Sequence, residues 1–222
     1  DVERSRGLGD VYKRQILKLA LLQKPNRVVI TGDLIDKLAW LPQVCERLTT
    51  FAKQIPDGVD FILGNHEYHH DVNKVLEELK HNTPMNILVN SNIQIMGGKQ
   101  PVYIAGVAYD NDREKEKREA MIDKALSGIP DYAFVILLAH HPEFFEEAIE
   151  RKIPLTLSGH THGGQIVFMG MPLVPTGTPY TKGRYVEEQS VCYVNNGTGH
   201  WFPIRINCPR EITVITFFDG VA

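Results

Sequence analysis

The sequence has few cysteines, no long apolar run and no excess of basic residues. Its three cysteines are widely spaced over 222 residues without a Cys-x-x-Cys pair, which excludes a disulfide framework or zinc ribbon and indicates buried or incidental thiols. The longest apolar run, residues 133–139, has the length of a strand, whereas a membrane-spanning helix needs roughly 18–20 residues. The formal net charge of −3 argues against a basic nucleic-acid-binding face. We expect a soluble chain as given.

The chain contains enough apolar residues, 43% of the total, to bury the core of one large domain. Apolar runs of strand length alternate with segments of helical periodicity, which favours an α/β sandwich. Strands are predicted at residues 27–31, 59–63, 87–89, 93–96, 102–105, 133–139, 155–157, 166–168, 191–194 and 211–217. Helices are predicted at residues 16–22, 41–54, 71–79, 110–124 and 142–150, the third with an aspartate N-cap, and a Gly97-Gly98 turn is predicted between strands.

Four polar clusters lie where predicted strands end. They are Thr31-Gly32-Asp33-Leu34-Ile35-Asp36, Gly64-Asn65-His66-Glu67, His140-His141-Pro142 and Ser158-Gly159-His160-Thr161-His162-Gly163-Gly164-Gln165. The last cluster is the most informative, because alternate residues of an extended chain point the same way and can aim both imidazoles into one site. The strand ends therefore predict a shared polar site at one edge of the fold.

The residue types in these clusters are those of a metal site with mixed oxygen and nitrogen ligands. Carboxylate, amide oxygen and imidazole together suit Mn, Fe, Zn, Co or Ni better than Ca or Mg. Each cluster alone has a plainer explanation: Gly-Asp as a turn or helix cap, Asn-His as a left-handed turn, and His-His as a strand-end pair. Their occurrence together favours the metal site.

In this order and spacing, the segments GDLID, GNHEY, HHP and SGHTHGGQI resemble the calcineurin-like metallophosphoesterases. The segments at residues 196–199, 203–205 and 209–212 resemble the bacterial phosphodiesterase branch of that superfamily, whose members are often tethered to or exported across a membrane. The resemblance runs from about Ile16 to the C-terminus. It implies an α/β fold, the αββα sandwich with mixed sheets, and hydrolysis of a phosphoric ester at two divalent transition metal ions (Mn, Fe or Zn).

The resemblance also implies roles for individual residues. It makes Asp33 the carboxylate that bridges both metals and His66 a catalytic residue that contacts the phosphate and protonates the leaving group or stabilises the transition state. The remaining ligands are Asn65, His140 and His160 for the second metal and His162 for the first.

Other polar residues near these clusters receive no ligand role. Asp36 is interpreted as a helix N-cap. His69, His70 and His141 suit surface or substrate-facing positions, and His200-Trp201 is a candidate for the border of the pocket.

The sequence departs from the family at its beginning, because no Asp-x-His motif precedes Asp33 to supply two ligands of the first metal. The nearest candidate, Asp10-Val11-Tyr12, has tyrosine instead of histidine. Residues 1–15 are charged and lack strand periodicity, so we interpret them as a non-native or disordered segment and residues 16–222 as the domain. We expect a fragment that lacks the first strand and binds one metal ion well.

The expected function is metal-dependent hydrolysis of a phosphodiester, for which a lipid-linked or cell-envelope compound is a candidate. A rim loop over residues 170–185 is expected to border the site. The alternative is a catalytically impaired scaffold of the same fold that binds partner proteins. We expect a monomer without specific nucleic-acid binding, and a native protein that is membrane-associated, through an anchor before Ile16, or exported in a bacterium.

Overall fold

Two β-sheets with helices on their outer faces make up the computed structural model, which describes residues 15–95, 100–108, 114–199 and 204–218. The strands are β1 Val28–Ile30, β2 Val59–Phe61, β3 Asn86–Ile87, β4 Ser91–Ile95, β5 Val102–Gly106, β6 Phe134–Leu138, β7 Leu155–Ser158, β8 Val167–Phe168, β9 Met171–Pro172, β10 Gly183–Glu187 and β11 Ser190–Val194. The α-helices are α1 at residues 15–22, α2 Leu41–Ala52, α3 Asn65–Tyr68, α4 Val72–Asn82, α5 Lys115–Leu126 and α6 Phe144–Glu150. Short 3-10 helices span Leu38–Trp40 and His162–Gly164.

The smaller sheet is parallel and the larger one is mixed. The first has the order β1-β2-β3, and the second the order β10-β11-β7-β6-β5-β4. The central pairs of the second sheet are parallel, whereas both edge strands, β10 and β4, run antiparallel to their neighbours. Strands β8 and β9 form a separate antiparallel hairpin.

Alternation of side chains along the strands divides the core into three apolar layers. In β2, Val59 and Phe61 pack with α2 and α4 on the outer face of the small sheet. In β6, Leu137 packs toward α5 and α6 on the outer face of the large sheet, whereas Ile136 and Leu138 lie between the sheets. Successive strand residues face opposite sides, so two sheets with helices outside them form an αββα sandwich, which confirms the fold that the resemblance implied.

Most of the predicted elements are found, with one clear exception. Asp71 caps α4 by accepting a hydrogen bond from the Lys74 backbone N–H (3.2 Å). Residues 211–217, predicted as a strand, are extended chain outside both sheets and largely exposed. Their β-branched composition favours a strand only where a neighbouring backbone completes the ladder, and within the described part of the chain this segment's backbone is paired at its start alone, where the Glu211 N–H donates to the Gly197 carbonyl oxygen (3.2 Å). The predicted Gly97-Gly98 turn lies outside the described residues.

The state of the cysteines and the character of the helices bear on two expectations from the sequence. Cys45, Cys192 and Cys208 are buried free thiols, as predicted. Among the described residues, no helix combines the length and the apolar character needed to span a bilayer.

Candidate metal centre

The carboxyl ends of four parallel strands bring the polar clusters to one edge of the sandwich. Asp33 follows β1 and Asn65 follows β2 in the small sheet, while His140 follows β6 and His160 follows β7 in the large sheet. Because parallel strands end at the same edge, residues far apart in sequence become neighbours. Each sheet therefore contributes two side chains to one cluster.

The distances within this cluster are those of atoms that share one ion. The Nε2 atom of His140 lies 3.3 Å from Asp33 Oδ1 and 3.0 Å from Asn65 Oδ1. The Nδ1 atom of His160 lies 3.0 Å from the same amide oxygen and 3.2 Å from His140 Nε2. Ligand atoms about 2.0–2.2 Å from a transition metal are separated by about this much.

The protonation pattern shows that the cluster fits a cation. The Nδ1 atom of His140 lies 2.7 Å from the Thr31 carbonyl oxygen, which can only accept, so Nδ1 carries the proton and Nε2 presents a lone pair in the neutral ring. That lone pair faces the carboxylate and amide oxygens of Asp33 and Asn65, which are acceptors too. Converging acceptors repel one another unless a proton or metal ion lies among them, so these four residues could hold a divalent transition metal.

The pKa values of Asp33, His140 and His160 are shifted by burial and by the close contacts within the cluster. Burial favours the neutral carboxyl of Asp33, but the hydrogen bond and charge of His140 together with the His66 N–H lower its pKa well below the usual range. Burial favours the neutral ring of His140, yet its pairing with Asp33 raises its pKa. Burial and the neighbouring His141 and His140 rings lower the pKa of His160 to about 3, so this ring offers its lone pair at neutral pH.

Backbone strain is concentrated at the site. Asp33, His160 and His162 adopt φ angles of 56°, 65° and 51°, a left-handed conformation that costs non-glycine residues energy. Gly64 lies so close that a Cβ atom on it would overlap the Asp33 carboxylate and the His140 ring. The strained loops and this glycine let the strand ends approach closely enough for the four side chains to meet.

Glu67 is a positioning residue that the sequence analysis did not single out. It is completely buried, and its carboxylate accepts hydrogen bonds from four backbone N–H groups, those of Asp33, Leu34, Ile35 and Gly64, at 2.7–3.0 Å. Burial raises its pKa, whereas the N–H donors favour the ionised form. Its position three residues after Gly64, at the start of a short helix, was the available signal, since a glutamate there commonly bonds back to N-terminal N–H groups.

Asp36 is not the helix N-cap that was predicted. The residue that precedes the 3-10 helix Leu38–Trp40 is Lys37, and α2 begins after Trp40. The Asp36 carboxylate instead lies 3.3 Å from Nδ1 of His66, and the His66 backbone N–H donates to Asp33 Oδ1 (3.0 Å). Turn propensity predicted a cap, but the turn after β1 carries Asp36 across to α3.

His162 lies beside the cluster and belongs to the same pocket wall, but its contacts differ from those of the other four residues. Arg205 donates to its Nδ1 atom at 3.2 Å and also donates to the carbonyl oxygens of Asn196 and Gly199. Burial, and next the charge of Arg205, lower the pKa of His162 to about 4. Arg205 thus fixes the ring and keeps it neutral.

Surface or substrate-facing positions were expected for the histidines without a predicted ligand role, and His141 is not at the surface. Its side chain is 13% exposed and stacks on the His160 ring with centroids 3.8 Å apart, so that His140, His141 and His160 form a group able to hold a metal ion. His69 is exposed with its ring 5.6 Å from that of His66, and Nε2 of His70 is 3.1 Å from the Asp36 carbonyl oxygen. His200-Trp201 lies outside the described residues.

A pocket of about 330 Å³ opens over the cluster. Its floor is formed by the strand-end residues and one wall by the loop after β9, which makes part of the predicted rim loop border the site. The lining residues are Asp33, Asn65, His66, His160, Thr161, His162, Gly164, Val174, Pro175 and Thr176. A pocket of this size accepts a small ligand or one end of a larger one.

Comparison with known proteins identifies relatives over most of the chain. The sequence profile of the calcineurin-like phosphoesterases matches residues 8–164. An uncharacterized metallophosphoesterase of Campylobacter jejuni is 34% identical over 97% of this chain and 56% of its own length. The metallophosphoesterase YkuE of Bacillus subtilis is 31% identical over 94% of this chain and 75% of its own length.

Two further comparisons concern a membrane protein and a solved structure. The transmembrane protein with metallophosphoesterase domain of Danio rerio is 30% identical over 97% of this chain and 51% of its own length. The NAD nucleotidase of Haemophilus influenzae has a similar fold, with a TM-score of 0.51 and 17% identity over 82% of this chain and 42% of that protein. This chain thus spans about half the length of the Campylobacter and Danio relatives. By the profile match and these relatives, the chain belongs to the calcineurin-like phosphoesterase family, a family of metal-dependent hydrolases.

Proposed function

We propose that this chain is the catalytic domain of a phosphodiesterase whose full ligand set binds two divalent transition metal ions. The convergence of Asp33, Asn65, His140 and His160 carries the proposal, because four potential acceptor atoms within 3.0–3.3 Å of their neighbours suit a metal cation placed among them. These residues would hold one ion. Asp33 and His162 would contribute to the other, for which the Asp-x-His motif is expected and not found before Asp33.

The chemistry of a bound metal there would be Lewis-acid polarisation of a phosphoryl oxygen and a lowered pKa for bound water. This chain's own residues would orient the ester and manage the proton of the leaving group. The Asp36 carboxylate lies 3.3 Å from Nδ1 of His66, which leaves Nε2 for a ligand in the pocket. From Nε2, His66 would donate a proton to the departing oxygen as a general acid.

The shape of the pocket supports a substrate that extends beyond its phosphate. Val174 and Pro175 give one wall an apolar character next to the polar floor, as suits an organic group attached to phosphorus. We propose a phosphodiester of the lipid-linked or cell-envelope type, and a native protein that works at or beyond a membrane. A transmembrane relative with the same domain supports that location.

The test combines metal analysis with turnover. Chelator-treated protein is reloaded with Mn²⁺, its metal content is measured, and hydrolysis of bis-p-nitrophenyl phosphate is compared with that of p-nitrophenyl phosphate. We expect about one tightly held ion per chain and a preference for the diester. Two tightly held ions would contradict the single complete site, and a preference for the monoester would contradict the substrate class.

Two further proteins distinguish a loss of metal binding from a loss of catalysis. A longer form that includes an upstream strand ending in Asp-x-His should hold two ions and turn over faster. Asp33→Asn in that form should weaken both ions and lower hydrolysis with them, because it removes the charge that the two cations share. Full metal loading without turnover in the longer form would favour a partner-binding scaffold instead.

A further inference from the structure

A projecting hairpin next to the pocket exposes a group of apolar side chains. Strands β8 and β9 are two residues each and are joined by Met169 and Gly170. Their exposed fractions are 60% for Phe168, 83% for Met169, 67% for Met171 and 64% for Leu173. Large apolar side chains exposed together on one element indicate a contact surface, unlike single ones scattered over a protein.

The hairpin and the loop that follows it contain no charged residues. Residues 166–181 contain no Asp, Glu, Lys, Arg or His, and Lys182 and Arg184 follow directly. Neither basic side chain makes an ion pair within the described part of the chain, and Arg184 is exposed. The acidic Glu187 lies at the opposite end of β10, about 10 Å away at the usual strand rise. The hairpin is therefore uncharged, and the first charged residues after it in the sequence are basic.

The base of the hairpin is firmly attached to the site. The Val167 N–H donates to the Ile206 carbonyl oxygen (2.9 Å), and at the end of the loop that follows the hairpin the Thr161 hydroxyl donates to the Thr181 carbonyl oxygen (2.5 Å). From Leu173 the chain continues into the pocket wall at Val174. A surface that bound the hairpin tip would consequently lie close to the pocket opening.

We propose that this hairpin inserts into the surface of an anionic lipid membrane and holds the pocket opening against it. Three residues from base to tip extend about 10 Å at the strand rise, which is comparable to the depth of about 5–10 Å to which apolar faces enter the interface. Lys182 and Arg184 would then lie among the headgroups, where basic side chains are attracted to anionic lipid.

The size of the hairpin favours a membrane over a protein partner or a second copy. A stable protein interface buries roughly 800 Å² on each partner, whereas the exposed apolar group here is a tip of four side chains with Ile206, 48% exposed, beside its base. A bilayer surrounds a narrow tip on all sides and needs no matching shape. The proposal concerns membrane binding alone and stands or falls independently of the phosphodiesterase activity.

The test is flotation of the full chain with vesicles of phosphatidylcholine alone or with 30% phosphatidylglycerol. We expect the wild type to float with the anionic vesicles, and the double variant Phe168→Asp/Met169→Asp to bind roughly tenfold more weakly or not at all. Lys182→Gln/Arg184→Gln should weaken binding to anionic vesicles by roughly fivefold per charge removed and should leave binding to neutral vesicles unchanged.

Tyr132→Asp is the matched control, since Tyr132 is 68% exposed and precedes β6 at the edge of the sheet opposite His140. It should float like the wild type, and circular dichroism should show that all variants are folded. Failure of the wild type to float, or equal flotation of the hairpin Asp variant, would overturn the proposal. So would self-association in sedimentation velocity that the hairpin variant abolishes while vesicle binding is absent, since the hairpin would then bind a second copy.

Discussion

At the scale of single residues, the histidines of the site differ in which ring nitrogen faces the cluster and in which residue contacts the ring. His140 and His160 direct different ring nitrogens, Nε2 and Nδ1, at the same amide oxygen of Asn65. His66 instead directs Nδ1 at a carboxylate outside the cluster. These orientations separate the two candidate metal-binding imidazoles from His66, the candidate for proton transfer.

Changes at His66 and Asp36 should therefore affect turnover without removing metal. We expect His66→Ala to lower kcat by roughly 10²–10⁴, the usual contribution of a general acid. Asp36→Asn should lower kcat by roughly tenfold, because the amide orients the His66 ring less well and cannot stabilise its positive charge. The measurement is steady-state turnover of an aryl phosphodiester at matched metal content.

Asp71→Asn is the control for the second change, because Asp71 is the aspartate that does cap a helix here. Asparagine and aspartate cap about equally well, so turnover and stability should both be nearly unchanged. If Asp36→Asn were as mild as Asp71→Asn, the contact between Asp36 and His66 would have no catalytic role.

The low pKa of His162 predicts an effect of pH on stability. In the unfolded chain this histidine has a pKa near 6.5, whereas burial and Arg205 lower it to about 4 in the folded protein. Between these values the unfolded state binds more protons, so stability falls as the pH falls. From pH 7 to pH 5, metal-free wild type should lose on the order of 1–2 kcal/mol more unfolding free energy than His162→Gln.

Urea denaturation of chelator-treated protein at both pH values measures this difference. Comparing the two proteins removes the contributions of His140 and His160, which are common to both. Parallel pH dependences would show that His162 is solvated and not held in the buried environment beside Arg205.

At the scale of elements, the short helix α3 and the turn after β1 form one unit through Glu67. Its carboxylate binds the N–H groups at the start of both segments, so the turn that carries Asp33 and the helix that carries Asn65 are held in fixed relation. Through Glu67, this four-residue helix thereby positions Asp33 and Asn65, two of the four candidate ligands.

Glu67→Gln should loosen this unit while keeping its shape. The amide group of glutamine is a donor and would face N–H groups that also donate, so we expect a loss of about 1–3 kcal/mol in unfolding free energy. Metal affinity should fall as well, because Asp33 and Asn65 lose their fixed spacing. Thermal melting and metal titration measure the two effects.

Glu46→Gln in α2 is the matched control, since Glu46 is exposed on a helix surface. It should alter stability by less than about 0.5 kcal/mol and leave metal affinity unchanged. Equal effects of the two substitutions would mean that the Glu67 network does not hold the site together.

At the scale of the whole molecule, the candidate metal centre lies where the two sheets meet. Asp33 and Asn65 come from the small sheet, and His140 and His160 come from the large sheet. A metal ion bound by all four would link the two halves of the sandwich, in addition to the apolar layer around Ile62 and Leu138.

Metal removal should consequently destabilise the entire fold. At a free metal concentration 100 times Kd, binding adds about 2.7 kcal/mol, which corresponds to a rise in Tm of roughly 5–10 °C for a chain of this size. His160→Ala should abolish most of this rise, whereas His81→Ala, an exposed histidine on α4, should keep it. Calorimetry with and without Mn²⁺ tests this, and an equal rise in the His160→Ala protein would place the metal elsewhere.

The sequence by itself determined the elements and the residue types of the site. Apolar periodicity is local information, so it located β1, α2, α4 and β6 to within a few residues, and a polar residue after a strand marks a strand end in any context. The four motifs also sufficed to name the family. Residues 211–217 show the limit of local information, because strand propensity there is not followed by pairing in either sheet.

Only the tertiary structure decided which of these residues meet and through which atoms. That Asp36 contacts His66, that Glu67 binds four N–H groups, and that His141 stacks on His160 depends on which strands lie side by side in each sheet, β1 with β2 and β6 with β7. Hydrogen-bond direction and ring orientation are set by neighbours more than 30 residues away in sequence. Spacing along the chain carries no information about such contacts, which arise from packing alone.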